Sequence, residues 1–281
     1  MEKQIISFDG TKIYYIHKKN KNKNTLIFLH GIATNWTVWR KEIEFFDRLG
    51  YSVLAPDLRG HGLSEWPHEE EKYNFLNFTK DIYAIIQKEK ISDVTFIGHS
   101  LGGAIAINYC EMFNMPASLV LIDTAHYYPY QHNHELNLSP FVNYFLRFLA
   151  KHEQLRTNHF PHFTDKTKEI INFSKDYSLL TRLFHHTPLK CIFKCLDTVH
   201  EYSEKHKKDT ENLLQSLNIP VLIITALKDS IIPFKFSEEL HNIIKNSKLK
   251  VIKDAHHLVQ VEKPEEVNAN ILYFLKANNI Y

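Results

Sequence analysis

The sequence predicts an α/β fold, with a mostly parallel, doubly wound sheet and a helical segment inserted into it. Short apolar runs, typical of strands covered on both faces, alternate along the chain with stretches of helical periodicity. This alternation stops at Asp123 and resumes at Val221. We therefore expect a core made of residues 1–123 and 219–281, and a helical cap (lid) over residues 124–218.

The elements of the core follow in chain order. Asp9-Gly10 is a hairpin signal between two short alternating runs, so the sheet should open with an antiparallel pair. The expected strands are Gln4–Phe8, Lys12–His17, Thr25–Leu29, Tyr51–Ala55, Val94–Ile97, Ser118–Ile122, Val221–Ala226 and Lys248–Ile252. Helices are expected at Trp36–Leu49, Asn77–Glu89, directly after Ser100, at Phe234–Ile244 and at Pro264–Leu275.

One stretch combines a strand, a G-x-S-x-G motif and a helix. Gly98-His99-Ser100-Leu101-Gly102 follows an apolar run and precedes an Ala/Ile run, which predicts that Ser100 lies on a sharp strand-to-helix turn. Glycines on either side leave room for a strained backbone at the serine. The helix N-terminus favours an anion beside it. The alternative is a serine that only shapes the turn, but the flanking strand and helix favour a nucleophile.

An elbow serine needs a histidine to take its proton and a carboxylate to hold the tautomer of that histidine. Asp229 comes just after one expected strand, and His256 and His257 come just after the next. The carboxyl ends of parallel strands share one edge of the sheet, so these groups should lie on the same edge as the serine. Asp123 also ends a strand and is an alternative acid, although hydrogen bonding to nearby backbone is its favoured interpretation.

Taken together, several motifs resemble the α/β-hydrolase family over most of the chain except the cap. They are His30-Gly31, Asp57-x-Arg59-Gly60-x-Gly62-x-Ser64, Gly98-His99-Ser100-Leu101-Gly102-Gly103, Asp229, and His257 with Glu262-x-Pro264. The resemblance implies that Ser100 is the nucleophile, Asp229 the acid and His257 the base. It also implies an oxyanion hole formed by the backbone N–H groups of Ile32 and Leu101. His257 is selected over its neighbour because the family places the base five residues before the Glu of Glu-x-Pro.

The same resemblance implies a reaction class. Epoxide hydrolases and haloalkane dehalogenases of this family carry aspartate at the elbow, so the serine argues against them, and Leu101 is ordinary for esterases and lipases. We expect a carboxylesterase or monoacylglycerol-lipase-like hydrolase that cleaves small or medium acyl esters through an acyl-enzyme. The alternatives are a thioesterase, a carbon–carbon bond hydrolase, or a ligand-sensing scaffold with little turnover.

The substrate pocket is expected to be apolar and to lie between the cap and the sheet. Thr187-Pro188 predicts the start of a cap helix that carries Cys191 and Cys195 as two packed thiols. Aromatic residues at helical spacing in the cap should face the core or line the pocket. The expected lining residues are Trp36, Trp39, Phe141, Tyr144, Phe145 and Phe148.

The remaining composition excludes several classes of partner. The net charge is only +2, which gives no electrostatic case for nucleic acid. Many histidines lie in the cap, but none stands at the spacing of a structural zinc site, so we expect no metal and no cofactor. No apolar run approaches the ~18 residues of a membrane span, and the N-terminus has no signal-type core. A cytoplasmic protein with a small-molecule substrate is expected, and nothing indicates its oligomeric state.

Overall fold

The computed structural model describes residues 1–127 and 187–281 of the chain. Within these residues, eight strands form one sheet. They are β1 (Glu2–Ile6), β2 (Lys12–Lys18), β3 (Asn24–Leu29), β4 (Ser52–Pro56), β5 (Asp93–His99), β6 (Ser118–Ile122), β7 (Val221–Ala226) and β8 (Ser247–Ile252). Their order across the sheet is β1-β2-β4-β3-β5-β6-β7-β8.

The first two strands form an antiparallel hairpin, and β2 pairs antiparallel with β4. All the other pairings are parallel, so β3 to β8 end at a common edge. Every residue of β3, β4, β6 and β7 is buried, as a sheet covered on both faces requires. The predicted α/β class with a mostly parallel sheet is confirmed.

Helices cover both faces of this sheet. Side chains alternate between the faces along each strand, so Ile27 and Leu29 join one apolar core while Leu26 and Phe28 join the other. The helices are α1 (Arg40–Arg48), α2 (Phe75–Glu89), α3 (Leu101–Met112), α4 (Leu189–Ser216), α5 (Phe234–Ile243), α6 (Val259–Glu262) and α7 (Pro264–Ala277). The first core is covered by α2, α3, α4 and α5, and the second by α1, α6 and α7.

Several predicted boundaries differ from the structure, and two of the differences have clear local reasons. The hairpin turn runs from Ser7 to Thr11, closed by the Ser7 N–H donating to the Thr11 carbonyl oxygen at 2.8 Å, so Phe8 lies in the turn rather than in β1. The single helix expected from Trp36 is divided, because a 3₁₀ turn at Trp36–Trp39 precedes α1. The Asn35 side chain caps that turn by accepting from the Thr37 N–H at 2.9 Å.

The described part of the predicted cap contains one helix, α4, which begins directly after Pro188 as expected. Its residues Cys191, Cys195 and Val199 are buried in the first core, so this helix packs directly on the sheet-covering layer. The predicted pocket residues Phe141, Tyr144, Phe145 and Phe148 lie outside the described residues. Across residues 1–127 and 187–281, none of the helices combines the length and apolar content needed to cross a bilayer.

Candidate active site

Ser100 lies between β5 and α3 in a strained backbone conformation. Its φ of 52° and ψ of −119° are unusual for a residue with a side chain. The conformation is held from both sides, since the Ser100 N–H donates to the Ile122 carbonyl oxygen at 3.0 Å. The Ser100 carbonyl oxygen accepts from the Thr124 hydroxyl at 2.7 Å. The predicted strand-to-helix elbow is therefore present, with the serine at its apex.

Two glycines of the motif are required by close approach. A Cβ on Gly98 would lie 2.5 Å from the Gly102 carbonyl oxygen, and a Cβ on Gly102 would lie 2.1 Å from the Leu29 carbonyl oxygen. Both distances are far below van der Waals contact. The first turn of α3 therefore packs against β5 and β3 at a distance that no larger residue permits.

Asp229 and His257 meet on the loops that follow β7 and β8. The Asp229 Oδ2 lies 2.8 Å from the His257 Nδ1, and both residues are buried. The other carboxylate oxygen, Oδ1, accepts the backbone N–H groups of Ile231 at 2.8 Å and Ile232 at 2.9 Å. Because the carboxylate accepts the Nδ1 proton, the lone pair of a neutral His257 is on Nε2. This is the tautomer that a general base requires.

His99 connects this pair to the elbow. Its Nε2 donates to the His257 carbonyl oxygen at 2.6 Å, and the centroids of the two rings are 4.7 Å apart. The buried Trp39 ring packs edge-to-face with the same ring, with centroids 6.4 Å apart. Since His99 directly precedes Ser100, the loop that carries His257 is fixed beside the serine. His99 thus joins the two loops.

The two neighbouring histidines have different environments. The side chain of His256 is 67% exposed, and its Nδ1 lies 3.1 Å from the Glu262 carboxylate. Its backbone N–H also donates to that carboxylate, at 3.1 Å, so Glu262 holds the loop ahead of His257. Of the two, the structure brings only His257 to Asp229.

Asp123, the alternative acid, bonds to backbone. Its Oδ1 accepts the Ala226 N–H at 2.8 Å, as its favoured interpretation expected. Complete burial raises the pKa of Asp123 well above its usual range, and the charge of Asp229 raises it further. One donor atom each from Asp123, His99 and His257 lie within 4.8 Å of one another. In the hydrogen bonds described above, His99 uses its Nε2 and His257 uses its Nδ1.

The loop after β3 lies directly against the serine. A Cβ on Gly31 would be 2.9 Å from the His99 Nδ1 and 3.1 Å from the Ser100 Cβ. Ile32 follows, and the next residue, Ala33, has a positive φ of 57°. Leu101 is the first residue of α3, where backbone N–H groups have no partner within the helix. Leu101 thus directly follows Ser100, and Ile32 directly follows a glycine that lies against Ser100.

Buried polar groups tie this loop to the one after β4. The His30 Nε2 accepts the Leu58 N–H at 3.0 Å, and burial holds the pKa of His30 well below its usual range. Asp57 accepts the Trp36 N–H with one oxygen and the Leu63 N–H with the other, each at 2.8 Å. Burial raises the pKa of Asp57 to about 7. These residues determine the shapes of the two loops.

The apolar wall next to the predicted oxyanion hole was missed from the sequence. Leu189 and Ile192 of α4 are buried in a small cluster with Ala33, and Phe193, Leu196 and Ile32 pack against it. The apolar periodicity of α4 was visible, but the loop that it would contact was not. Trp36 is half-buried, and the Arg40 guanidinium lies 5.5 Å from the centroid of its ring.

A family model described as "alpha/beta hydrolase fold" matches residues 24–179, more than half of the chain. The chain therefore belongs to the α/β-hydrolase family. One relative is the Uncharacterized hydrolase YugF of Bacillus subtilis (strain 168), which is 26% identical over 280 residues, covering 95% of this chain and 96% of that protein.

Two further similarities cover different shares of the proteins compared. Bifunctional epoxide hydrolase 2 of Sus scrofa is 26% identical over 281 residues, covering 89% of this chain but only 51% of that protein, so the chain spans about half of it. A solved esterase from Exiguobacterium antarcticum (EaEST) has a TM-score of 0.72 at 21% identity, with 98% of this chain and 100% of that chain covered. At that identity the likeness concerns the fold.

Proposed function

We propose that this protein hydrolyses carboxylic esters, with Ser100 as nucleophile, His257 as base and Asp229 as acid. The observation that supports this most strongly is the 2.8 Å contact between His257 Nδ1 and Asp229 Oδ2, on a loop fixed to the serine elbow through His99. A serine, a histidine in the base tautomer and a buried carboxylate form the arrangement that activates a hydroxyl for acyl transfer.

In the proposed reaction, the Ser100 Oγ attacks the ester carbonyl carbon while the His257 Nε2 takes the hydroxyl proton. The backbone N–H groups of Ile32 and Leu101 stabilise the oxyanion that forms. When the tetrahedral intermediate collapses, His257 gives the proton to the leaving alcohol, and the acyl group stays on the serine. Water then attacks the acyl-enzyme with the same base, which releases the acid.

The two elements of this site contribute by different physical means. One oxyanion-hole donor is worth ~2.7–4 kcal/mol, because the N–H groups are already oriented towards the developing charge. General base catalysis adds about 10²–10⁴-fold. Asp229 contributes by holding the tautomer of His257 and by stabilising the imidazolium.

The acyl group of the substrate is proposed to be apolar and of small or medium size. The α4 residues Leu189, Ile192 and Phe193 pack beside the oxyanion loop, so an acyl chain bound there would contact an apolar wall. We propose that residues 124–218, which include this helix, act as a lid over the site, with Trp36 and the aromatics of that segment as pocket residues. A cytoplasmic location remains a prediction; the three cysteines all lie in the described residues, and none forms a disulfide.

The test is turnover of a panel of aryl esters with acyl chains of increasing length, beside matched aryl thioesters. We expect ester cleavage by wild type and a loss of about 10⁴-fold or more in Ser100→Ala, with His256→Ala as the matched folded control. Faster thioester cleavage would favour the thioesterase alternative. Ligand binding without any product, in a folded wild type, would contradict the proposal and favour the sensing scaffold.

A further inference from the structure

Two thiols and one imidazole meet where the cap helix α4 crosses the loop after β4. Cys191 and Cys195 lie one turn apart on α4, and His61 lies on the loop; all three side chains are fully buried. The Cys191 Sγ is 3.7 Å from the Cys195 Sγ and 3.9 Å from the His61 Nδ1. One donor atom from each residue lies within 4.8 Å of the other two.

The separation of the two sulfurs suits a shared tetrahedral metal ion. With Zn–S bonds of about 2.3 Å, two thiolates on one tetrahedral zinc are about 3.8 Å apart, close to the 3.7 Å between the Cys191 Sγ and the Cys195 Sγ. A disulfide would need the sulfurs at about 2.0 Å. Packed thiols can also lie at this spacing, so the environment of His61 distinguishes the two interpretations.

The hydrogen bonding of His61 leaves one lone pair unused. Its Nδ1 donates to the Arg59 carbonyl oxygen at 2.9 Å, because a carbonyl oxygen can only accept. The Nε2 is then the lone-pair atom, and among the described residues this buried nitrogen has no hydrogen-bond partner. Metal-bound histidines commonly have this arrangement, in which the second nitrogen donates to a carbonyl group. His61 is therefore in the tautomer that would bind a metal through Nε2, and not through the Nδ1 that lies 3.9 Å from the Cys191 Sγ.

The charge balance also suits a divalent ion. A buried charge is costly unless it is compensated. Two thiolates and one neutral imidazole around Zn²⁺ give a net charge of zero, so the complex can stay buried. Thiolate and imidazole donors are also the set that zinc prefers over magnesium or calcium.

We propose that His61, Cys191 and Cys195 bind one zinc ion, with a water molecule in the fourth position. The ion ties α4 to the loop after β4, which already approach closely, since a Cβ on Gly60 would lie 2.4 Å from the Cys191 Sγ. The ring of His30, which joins this loop to the oxyanion loop, packs against His61 with centroids 5.3 Å apart. The site shares no residue with the proposed triad and does not depend on the proposed activity.

The first experiment uses the full chain, stripped of metal by a chelator and titrated with Co²⁺. Tetrahedral Co²⁺ with thiolate ligands has intense visible bands and a near-ultraviolet sulfur-to-metal charge-transfer band. We expect both to saturate at one ion per chain and to disappear when Zn²⁺ is added. Binding without the charge-transfer band would place the metal on histidines elsewhere and overturn the proposal, as would no binding at all.

Variants then assign the ligands. A double variant that combines Cys191→Ser and Cys195→Ser should lower the Zn²⁺ affinity by about 100-fold or more, because it removes two direct ligands. The separate variant His61→Asn removes the third ligand and should lower the affinity by a similar factor. Cys110→Ser is the matched control, since that buried cysteine lies on α3 and its thiol donates to the Ala106 carbonyl oxygen. It should keep wild-type stoichiometry and affinity.

Thermal unfolding of the stripped wild type gives a readout that does not require the variants to fold. Zn²⁺ in excess should raise the melting temperature of the stripped wild type by several degrees, because an ion that binds only the folded state stabilises it. The double cysteine variant, where folded, should show no such rise. An unchanged rise in that variant, or an intact mass showing that Cys191 and Cys195 have become a disulfide in place of binding zinc, would refute the site.

Discussion

Asp57 and Asp229 are two buried carboxyl groups that follow parallel strands, β4 and β7, and their hydrogen bonds differ. Asp57 uses both oxygens on backbone, one on the Trp36 N–H and one on the Leu63 N–H. Asp229 accepts both of its backbone N–H groups with Oδ1, which leaves Oδ2 for a histidine. The distribution of backbone donors between the two oxygens therefore separates a loop-shaping aspartate from a candidate acid.

The largest effect that this comparison predicts is on turnover in Asp229→Asn. The amide can still accept backbone N–H groups, but it no longer supplies the anion that holds the His257 tautomer. We expect kcat to fall by roughly 10⁴-fold. Ester kinetics, with circular dichroism to confirm the fold, measure this. A loss of less than about tenfold would show that Asp229 is not the acid.

Asp57→Asn should lower the stability of the protein and leave its turnover almost unchanged, the reverse of Asp229→Asn. The amide NH₂ would face one of the two backbone N–H groups, leaving a buried donor unpaired at a cost of about 1–3 kcal/mol. Denaturant unfolding should show that loss of stability, while kcat of the folded fraction changes by less than about tenfold. If instead kcat collapsed at unchanged stability, Asp57 would belong to the chemistry and the comparison would be wrong.

The pH dependence of stability gives a finer test of Asp57. Its pKa in the folded protein is raised from 3.8 to about 7 by burial, so between these values the folded state keeps a proton that the unfolded state releases. This group therefore makes the protein less stable as pH rises from about 4 to about 7, and adds nothing further above that. The melting temperature of wild type minus that of Asp57→Asn should decrease across this window. A difference that is flat or increases with pH would contradict the assignment.

The smallest effect is expected for His256→Ala. That side chain is 67% exposed and pairs with the carboxylate of Glu262, so ester turnover should change by less than about threefold. His257→Ala, assayed beside it, removes the proposed base. Similar losses in both variants would mean that the two neighbouring histidines are not distinguished as proposed here.

Regular, fully buried elements could be predicted closely from the sequence. Strands β6 and β7 have the predicted bounds because each is a continuous apolar run, and the elbow follows from Gly98, Ser100 and Gly102. The first hairpin was displaced because its turn is longer than Asp9-Gly10. A local pattern cannot show where the backbone bonds of such a turn close.

Contacts between distant segments could not be predicted. His61 and Cys191 are 130 residues apart, so a spacing rule for metal ligands does not connect them. The apolar face of α4 was visible, but its position against Ala33 depends on tertiary packing. Likewise, Asp57 and Asp229 both follow strands, and only the folded loops show which one has an oxygen left for a histidine.

Whether His257 activates Ser100 can be measured by reaction with a fluorophosphonate followed by intact mass. We expect wild type and His256→Ala to gain one phosphonyl group, and Ser100→Ala and His257→Ala to gain none on the same time scale. A folded wild type that is not labelled, or labelling that persists without Ser100, would show that Ser100 is not an activated nucleophile.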